Sequence, residues 1–305
     1  MDMEIIEITG LRKAYGGRAA VDGVSFTVRE GEVFGVVGRN GAGKTTTIEC
    51  LCGLRTPDGG TLTVTGLDPR TDRAEVRRRV GVQLQDCSLP DRLRVGEALD
   101  LYASFYDRPA DWRSLLEEVG LGSKRDTPFA KLSGGQRQRL SIALALVGAP
   151  RVAVLDELTT GLDPLARRET WSLIEQVRRR GVTVVLVTHF MEEAERLCDR
   201  VAVIDRGRVT AVDTPAGLVA RAGGGQRVRF RGGPGADEVL RALPEVTSLS
   251  REGDMVTVAG QDGVLLAVTT ALAACQIVPA ELQSERATLD DAFLALTGRP
   301  AADPA

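Results

Sequence analysis

The eight residues GRNGAGKT, Gly38 to Thr45, come after the apolar run VFGVVG and open a helical pattern. Their spacing is GxxxxGK[ST], in which glycines let successive backbone N–H groups turn inward around a β-phosphate. Gly38, Arg39, Asn40, Gly41, Ala42 and Gly43 supply that cradle. The helix that starts behind it adds the positive end of its dipole. Lys44 is placed to reach the β- and γ-phosphates, Thr45 offers a hydroxyl to Mg²⁺, and Thr46 comes next on the same turn. The chemistry expected of this stretch is the binding of a nucleoside triphosphate.

Two further stretches could act on such a ligand. In VAVLDE, four apolar residues carry Asp156 to a strand end, the edge at which ligands of open α/β sheets bind. Asp156 there would hold the Mg²⁺ shell, and Glu157, one step on, could orient and polarise an attacking water. Without the phosphate loop upstream the same pair would read as a helix cap. In KLSGGQRQRLSIALAL, Ser133 reads as an N-cap, and Gly134, Gly135 and Gln136 open an amphipathic helix. A glycine-rich helix start exposes N–H groups and makes a second anion site. One chain with two phosphate sites requires either two phosphate ligands or a dimer that shares each ligand. His189, the only histidine in the chain, ends the run TVVLVTH just before a helical segment. It is either a satisfied imidazole at a strand terminus or a group that touches the reacting centre.

The elements that must position these residues are set by periodicity. Residues 1 to about 220 alternate β-rich runs with helical patterns, the mark of an α/β domain with a mainly parallel sheet. The runs VFGVVG, RVGVQLQ, VAVLDE and TVVLVTH are its strands. EIIEITGLRKAYG, VDGVSFTV and TLTVTG alternate as an antiparallel flank would. Between Val95 and Val147 the pattern turns helical, an insertion in the α/β core. ARAGGGQ, 220 to 226, reads as a linker. Beyond it come strand RVRFRG, helix GADEVLRAL, strands VTSLSR and MVTVAG, helix DGVLLAVTTALAAC and strand IVPAELQ. That βαββαβ order predicts a small ferredoxin-like α+β domain. A helix, ATLDDAFLALTGR, closes it. The expected organisation is a nucleotide-binding domain over 1–222 with a helical subdomain at about 90–147, an accessory domain over 223–298, and a disordered tail over 299–305.

Composition narrows the classes. A chain of 305 residues with a formal charge of −3 has no electrostatic footprint for nucleic acid. The clusters Arg77–Arg79 and Arg178–Arg180 read as solvated helix ends. No stretch is long and apolar enough to span a bilayer, and the N-terminus lacks the signature of a secretory signal, so a cytoplasmic location is expected. Five scattered cysteines with one histidine exclude most zinc arrangements and read as reduced core thiols.

With these motifs in order over residues 1 to about 220, the sequence resembles the nucleotide-binding subunit of an ATP-binding-cassette (ABC) transporter. By that resemblance GRNGAGKT is the Walker A loop, VAVLDE is Walker B, and LSGGQ, Leu132 to Gln136, is the signature motif. Gln85 is similar to the glutamine that contacts Mg²⁺ and the water and senses the membrane partner. Tyr15 resembles the aromatic that stacks on adenine, GLDP places Asp163 at a dimer seam, and His189 resembles the histidine that bonds the γ-phosphate. The resemblance implies ATP and Mg²⁺ as cofactors, a head-to-tail homodimer, and a separately encoded integral-membrane permease as the only route to the membrane. The segment Asp86 to Tyr106 is where that permease would make contact. Two positions depart from the family pattern: Leu158 and Arg39 stand where proline is usual. LDDAFLALTG, 289 to 298, is similar to the ending of drug-exporter ATPases of the daunorubicin/doxorubicin-resistance type, and reads equally as a plain amphipathic helix docking onto the sandwich. A soluble ABC ATPase acting on DNA or the ribosome, with paired cassettes and basic surfaces, fits one acidic cassette less well. A P-loop kinase would lack LSGGQ.

Overall fold

Strands covered on both faces read as near-continuous apolar runs, and three stretches of this chain fit: Val33–Val37, Val152–Asp156 and Thr183–Thr188 are buried at every position, with polar residues only at their ends. They form the middle of the main sheet. The computed structural model describes residues 3–84, 88–222, 225–232, 234–260 and 263–298. Within it the chain divides into two compact units, Met1–Pro215 and Ala216–Pro300.

The first unit runs β1 (Glu4–Tyr15), β2 (Arg18–Arg29), β3 (Val33–Val37), α1 (Lys44–Leu51), β4 (Gly59–Val64), α2 (Arg73–Arg79) and β5 (Val80–Gln83). Three helices come next, α3 (Val95–Ala103), α4 (Trp112–Glu118) and α5 (Gly134–Leu146), and these are the expected insertion. The chain then returns as β6 (Val152–Asp156), α6 (Pro164–Arg179), β7 (Thr183–Thr188), α7 (Met191–Leu197), β8 (Arg200–Asp205) and β9 (Arg208–Asp213).

The main sheet has the order β5-β6-β7-β3-β8-β9, parallel except for the β8–β9 pair. β2-β1-β4 form the expected antiparallel flank. One continuous apolar layer, from Ile6, Ile8 and Leu11 to Phe34, Ile48 and Val187, joins that flank, α1 and the main sheet. Each such fully buried aliphatic side chain contributes about 1.5–3 kcal/mol. Cys50, Cys52 and Cys198 are buried and, like the half-buried Cys275, unpaired with another cysteine.

The order has a functional consequence. β5, β6, β7 and β3 are neighbours and parallel, so Gln83, Asp156, Thr188 and Val37 end on the same edge of the sheet. The residues just past these four strand ends therefore converge there without long loops.

The second unit takes in α8 (Pro215–Arg221), then β10 (Gln226–Arg231), α9 (Asp237–Arg241), β11 (Val246–Glu252), β12 (Met255–Gly260), α10 (Val264–Ala274), β13 (Ala280–Arg286) and α11 (Leu289–Thr297). Its sheet is antiparallel in the order β11-β12-β10-β13, that of a ferredoxin-like sandwich. Val228, Phe230, Val256 and Val258 face Leu240, Val264, Val268 and Leu272 across its core. The last strand begins three residues later than IVPAELQ suggests. Gln276 is left-handed (φ 56°), Ile277 donates its N–H to the Leu272 carbonyl at 2.9 Å, and its side chain packs on the core, so the apolar run closes α10 instead. α11 ends in left-handed Gly298 (φ 69°), the glycine cap expected from sequence. The tail 299–305 lies outside the described residues.

Candidate nucleotide site

The loop after β3 is fixed by close backbone approach. A Cβ on Gly43 (φ 102°) would stand 2.4 Å from the Ala20 carbonyl oxygen, and one on Gly38 would stand 2.3 Å from that of Ile204. Only glycine fits either place. The turn Arg206-Gly207 between β8 and β9 braces the loop from below: Gly207 donates to the Ala42 carbonyl at 2.8 Å, and Asp22 donates to Gly207 at 2.7 Å. Lys44, buried at the start of α1, curls its Nζ back to the Gly38 and Arg39 carbonyls at 2.7 and 3.1 Å. Burial lowers its pKa, and the Glu157 and Asp156 carboxylates work against that.

Above the loop lies a cleft of about 400 Å³ lined by Tyr15, Arg39, Asn40, Gly41, Gly43, Lys44, Thr45, Thr46, Ala20 and Glu157. A second cleft of about 590 Å³ shares Tyr15, Ala20 and Gly41 and extends to Arg18, Arg206 and Gly207. Tyr15, which lines both clefts, is 42% exposed, with the Arg55 guanidinium 5.2 Å and the Lys13 ammonium 5.8 Å from its ring centre.

Asp156 ends β6 and is 1% exposed, yet neither carboxylate oxygen has a hydrogen-bond partner. Its backbone N–H is held by Gln83 Oε1 at 3.1 Å. Burial first, then the neighbouring Glu157 charge, pushes its pKa up to about 6, opposed by Lys44. Glu157 has φ 49°, a left-handed conformation that costs a non-glycine residue about 1–3 kcal/mol, and it is held there by its N–H bond to the Val187 carbonyl at 2.9 Å. That strain turns its side chain toward β7, where His189 Nδ1 stands 3.3 Å from Glu157 Oε1. The carboxylate, the imidazole and the lysine thus meet at the shared edge of β6, β7 and β3.

The donor set suits a hard divalent cation carried in with a nucleotide. Among the described residues no three His, Cys, Asp or Glu side chains gather to hold a metal alone. A buried carboxylate without a hydrogen-bond partner at the end of β6 is what such an ion would complete, with phosphate oxygens supplying the rest. Gln85, expected to join it, lies outside the described residues.

The remaining expected residues stand elsewhere. Ser133 caps α5: its Oγ accepts from the Gln136 N–H at 3.3 Å, and Gln136 Oε1 accepts from the Ser133 N–H at 3.1 Å. Asp163 caps α6, accepting from Leu165 and Ala166 at 2.9 and 3.0 Å. Ser133, Gly134, Gly135, Gln136 and Asp163 line neither cleft. Sequence reasoning missed Gln83, Arg18 and the Arg206-Gly207 turn. The signals were present: a glutamine inside an apolar strand run, and a DRGR turn between two strands.

Fold and site together define a nucleoside-triphosphate-binding P-loop protein. A model of the ABC transporter family matches residues 21–160. A Nod factor export ATP-binding protein I from Ralstonia nicotianae is 40% identical over 307 aligned positions, covering 98% of this chain and 95% of that protein. The daunorubicin/doxorubicin resistance ATP-binding protein DrrA of Streptomyces peucetius is 38% identical, covering 98% and 94%. A solved ATP-binding subunit of an ABC transporter, 29% identical, superposes with a TM-score of 0.66 over 72% of this chain and 93% of that one. The chain belongs to the ABC transporter family, as an ATP-binding subunit with ATPase activity.

Proposed function

We propose that the chain powers a separately encoded integral-membrane permease that exports a drug, an antibiotic or another hydrophobic compound. The observation that carries the reading is the Asp156 carboxylate without a hydrogen-bond partner, adjacent in sequence to Glu157, which lines the cleft with Lys44 and contacts His189. Asp156, Thr45 and Gln85 would hold Mg²⁺, which when bound offsets the phosphate charge. Lys44 and His189 would stabilise negative charge on the γ-phosphoryl group, and Glu157 would orient the water. Tyr15 would stack on adenine at the junction of the clefts. Two such ATP molecules would be shared across a head-to-tail homodimer, each covered by Ser133, Gly134, Gly135 and Gln136 of the opposite chain, with Asp163 at the seam. Export is supported by relatives named for Nod factor export and for drug resistance that align along almost all of the chain. No helix among the described residues is long and apolar enough to cross a membrane, which fits a chain reaching the cytoplasmic face through its permease. The net acidic charge gives no support to a nucleic-acid partner.

The test is phosphate release by the full chain and by Glu157→Gln. Losing the water-orienting carboxylate while keeping its shape should lower turnover by about 10²–10⁴-fold, with ATP affinity retained. An unchanged rate would remove Glu157 from the chemistry and the reading with it.

A further inference from the structure

Glu193 on α7 is 0% exposed, a buried carboxyl for which the nucleotide site has no use. Such a group is costly unless its partners repay the loss of water. Trp171 of α6 donates its indole N–H to Glu193 Oε1 at 3.0 Å. The hydroxyls of Thr188, at the end of β7, and Thr159, two residues after Glu157, stand near enough to favour its ionised form against the burial that raises its pKa. Thr159 Oγ1 and Glu193 Oε2 nevertheless lack a direct hydrogen bond.

The carboxyl therefore sits between α6 and the two segments that carry Glu157 and His189. Thr188 Oγ1 accepts the Phe190 N–H at 3.0 Å, which fixes the turn bearing His189. The Phe190 ring lies 4.1 Å from the imidazole, centre to centre. Arg167, one turn before Trp171 on the same face of α6, places its guanidinium 4.9 Å from the Phe190 ring and lowers the pKa of Glu193. α6 thus grips the His189 turn twice, through Arg167 on Phe190 and through Trp171 on Glu193.

We propose that Glu193 is a positioning residue for hydrolysis: its carboxyl, anchored by Trp171, holds the β7–α7 turn and the segment after Glu157 in the register that sets His189 against Glu157. It touches neither nucleotide nor water and acts through His189. The inference rests on the reading of Glu157 and His189 as the hydrolytic pair.

Because His189 is the only histidine, its imidazole gives one resonance in a histidine-labelled full chain, and that signal reports its placement directly. In a folded Glu193→Ala chain the resonance should shift or broaden. Turnover should fall about 10- to 100-fold, the scale of a small misplacement of a reacting group, while ATP affinity stays within about twofold. Glu193→Gln, which keeps an oxygen for Trp171, should recover most of both. Trp171→Phe, which removes only that donor, should reproduce the shift and part of the loss, and it decides the matter if Glu193→Ala does not fold. An unmoved resonance, a wild-type turnover, or a loss confined to ATP affinity would overturn the proposal. His189→Ala is the control: if it hydrolyses ATP like the wild type, the site reading itself fails, and the role of Glu193 falls with it for a distinguishable reason.

Discussion

Asp156 is a buried charge that Lys44 offsets only in part and that has no hydrogen-bond partner among the described residues. A buried carboxylate without partners costs the folded state, and its pKa of about 6 reflects that cost. Asp156→Asn removes the charge and keeps the shape, so without metal or nucleotide the variant should melt no lower than the wild type. Ligand stabilisation should go the other way. A ligand at a hundred times its Kd adds about 2.7 kcal/mol to a folded protein, and in Asp156→Asn the Mg-ATP increment should shrink to that of ATP with chelator. Thermal melts of both chains, with and without Mg²⁺, read this directly; an equal Mg²⁺ increment in the two would remove Asp156 from the cation site. The placement of Asp156, Glu157 and Lys44 was legible in the sequence because it depends on local spacing: a loop after one strand, a carboxylate pair at the end of another. The contact of His189 with Glu157, made across 32 residues, was not legible, since periodicity places the histidine at a strand end and the resemblance implies the γ-phosphate, not a side chain, as its partner. Glu193 was illegible. In MEEAERL it reads as one more charge on a solvated helix, and only the packing of α6 over α7 buries it.

Among the elements, α3 shows the clearest mismatch between composition and burial. Val95, Ala98 and Leu99 pack inward, while Leu101 is 47% exposed and Phe105, just past the helix, is 66% exposed. A protein surface tolerates single apolar side chains, but these two fall within the stretch from Asp86 to Tyr106 in which permease contact is expected, whose first two residues lie outside the described ones. If they dock a membrane partner, Leu101→Ala with Phe105→Ala should leave basal hydrolysis within about twofold and abolish its stimulation by the permease. Undiminished stimulation would move the docking surface elsewhere. Most elements could be read from the sequence because their apolar periods are strong: four strands of the main sheet, the three inserted helices and the βαββαβ order all appear where the patterns put them. The departures occur where short apolar runs are ambiguous. Ile277 and Val278 look like a strand start, but the left-handed residue before them and Pro279 after them make the run a helix closure, and β13 starts only at Ala280. α8 falls in the second compact unit, whereas the expected boundary at 222–223 rests on the glycine-rich composition of ARAGGGQ.

For the whole molecule, the decisive fact is that one chain holds its phosphate-loop clefts and its second glycine-rich helix start as separate features: Ser133, Gly134 and Gly135 line neither cleft. A helix start with exposed N–H groups gains little from water alone and more from an anion. In a head-to-tail pair each chain would offer that start to the nucleotide of the other, so ATP itself would close the interface and its hydrolysis would open it. Glu157→Gln should trap the closed state, and its solution mass should double on adding Mg-ATP. Ser133→Arg in that background puts a long cation where the shared phosphate would lie. It also forfeits the α5 cap, worth about 1 kcal/mol, so retained binding of ATP by the monomer is the control that the chain is folded. If the mass doubles and the arginine prevents it, the ligand is shared between chains, and the two sites seen apart in one chain are halves of a single one. If ATP binds and the mass stays that of a monomer, closure depends on contacts this chain does not make for itself, and the permease becomes part of the switch rather than its load.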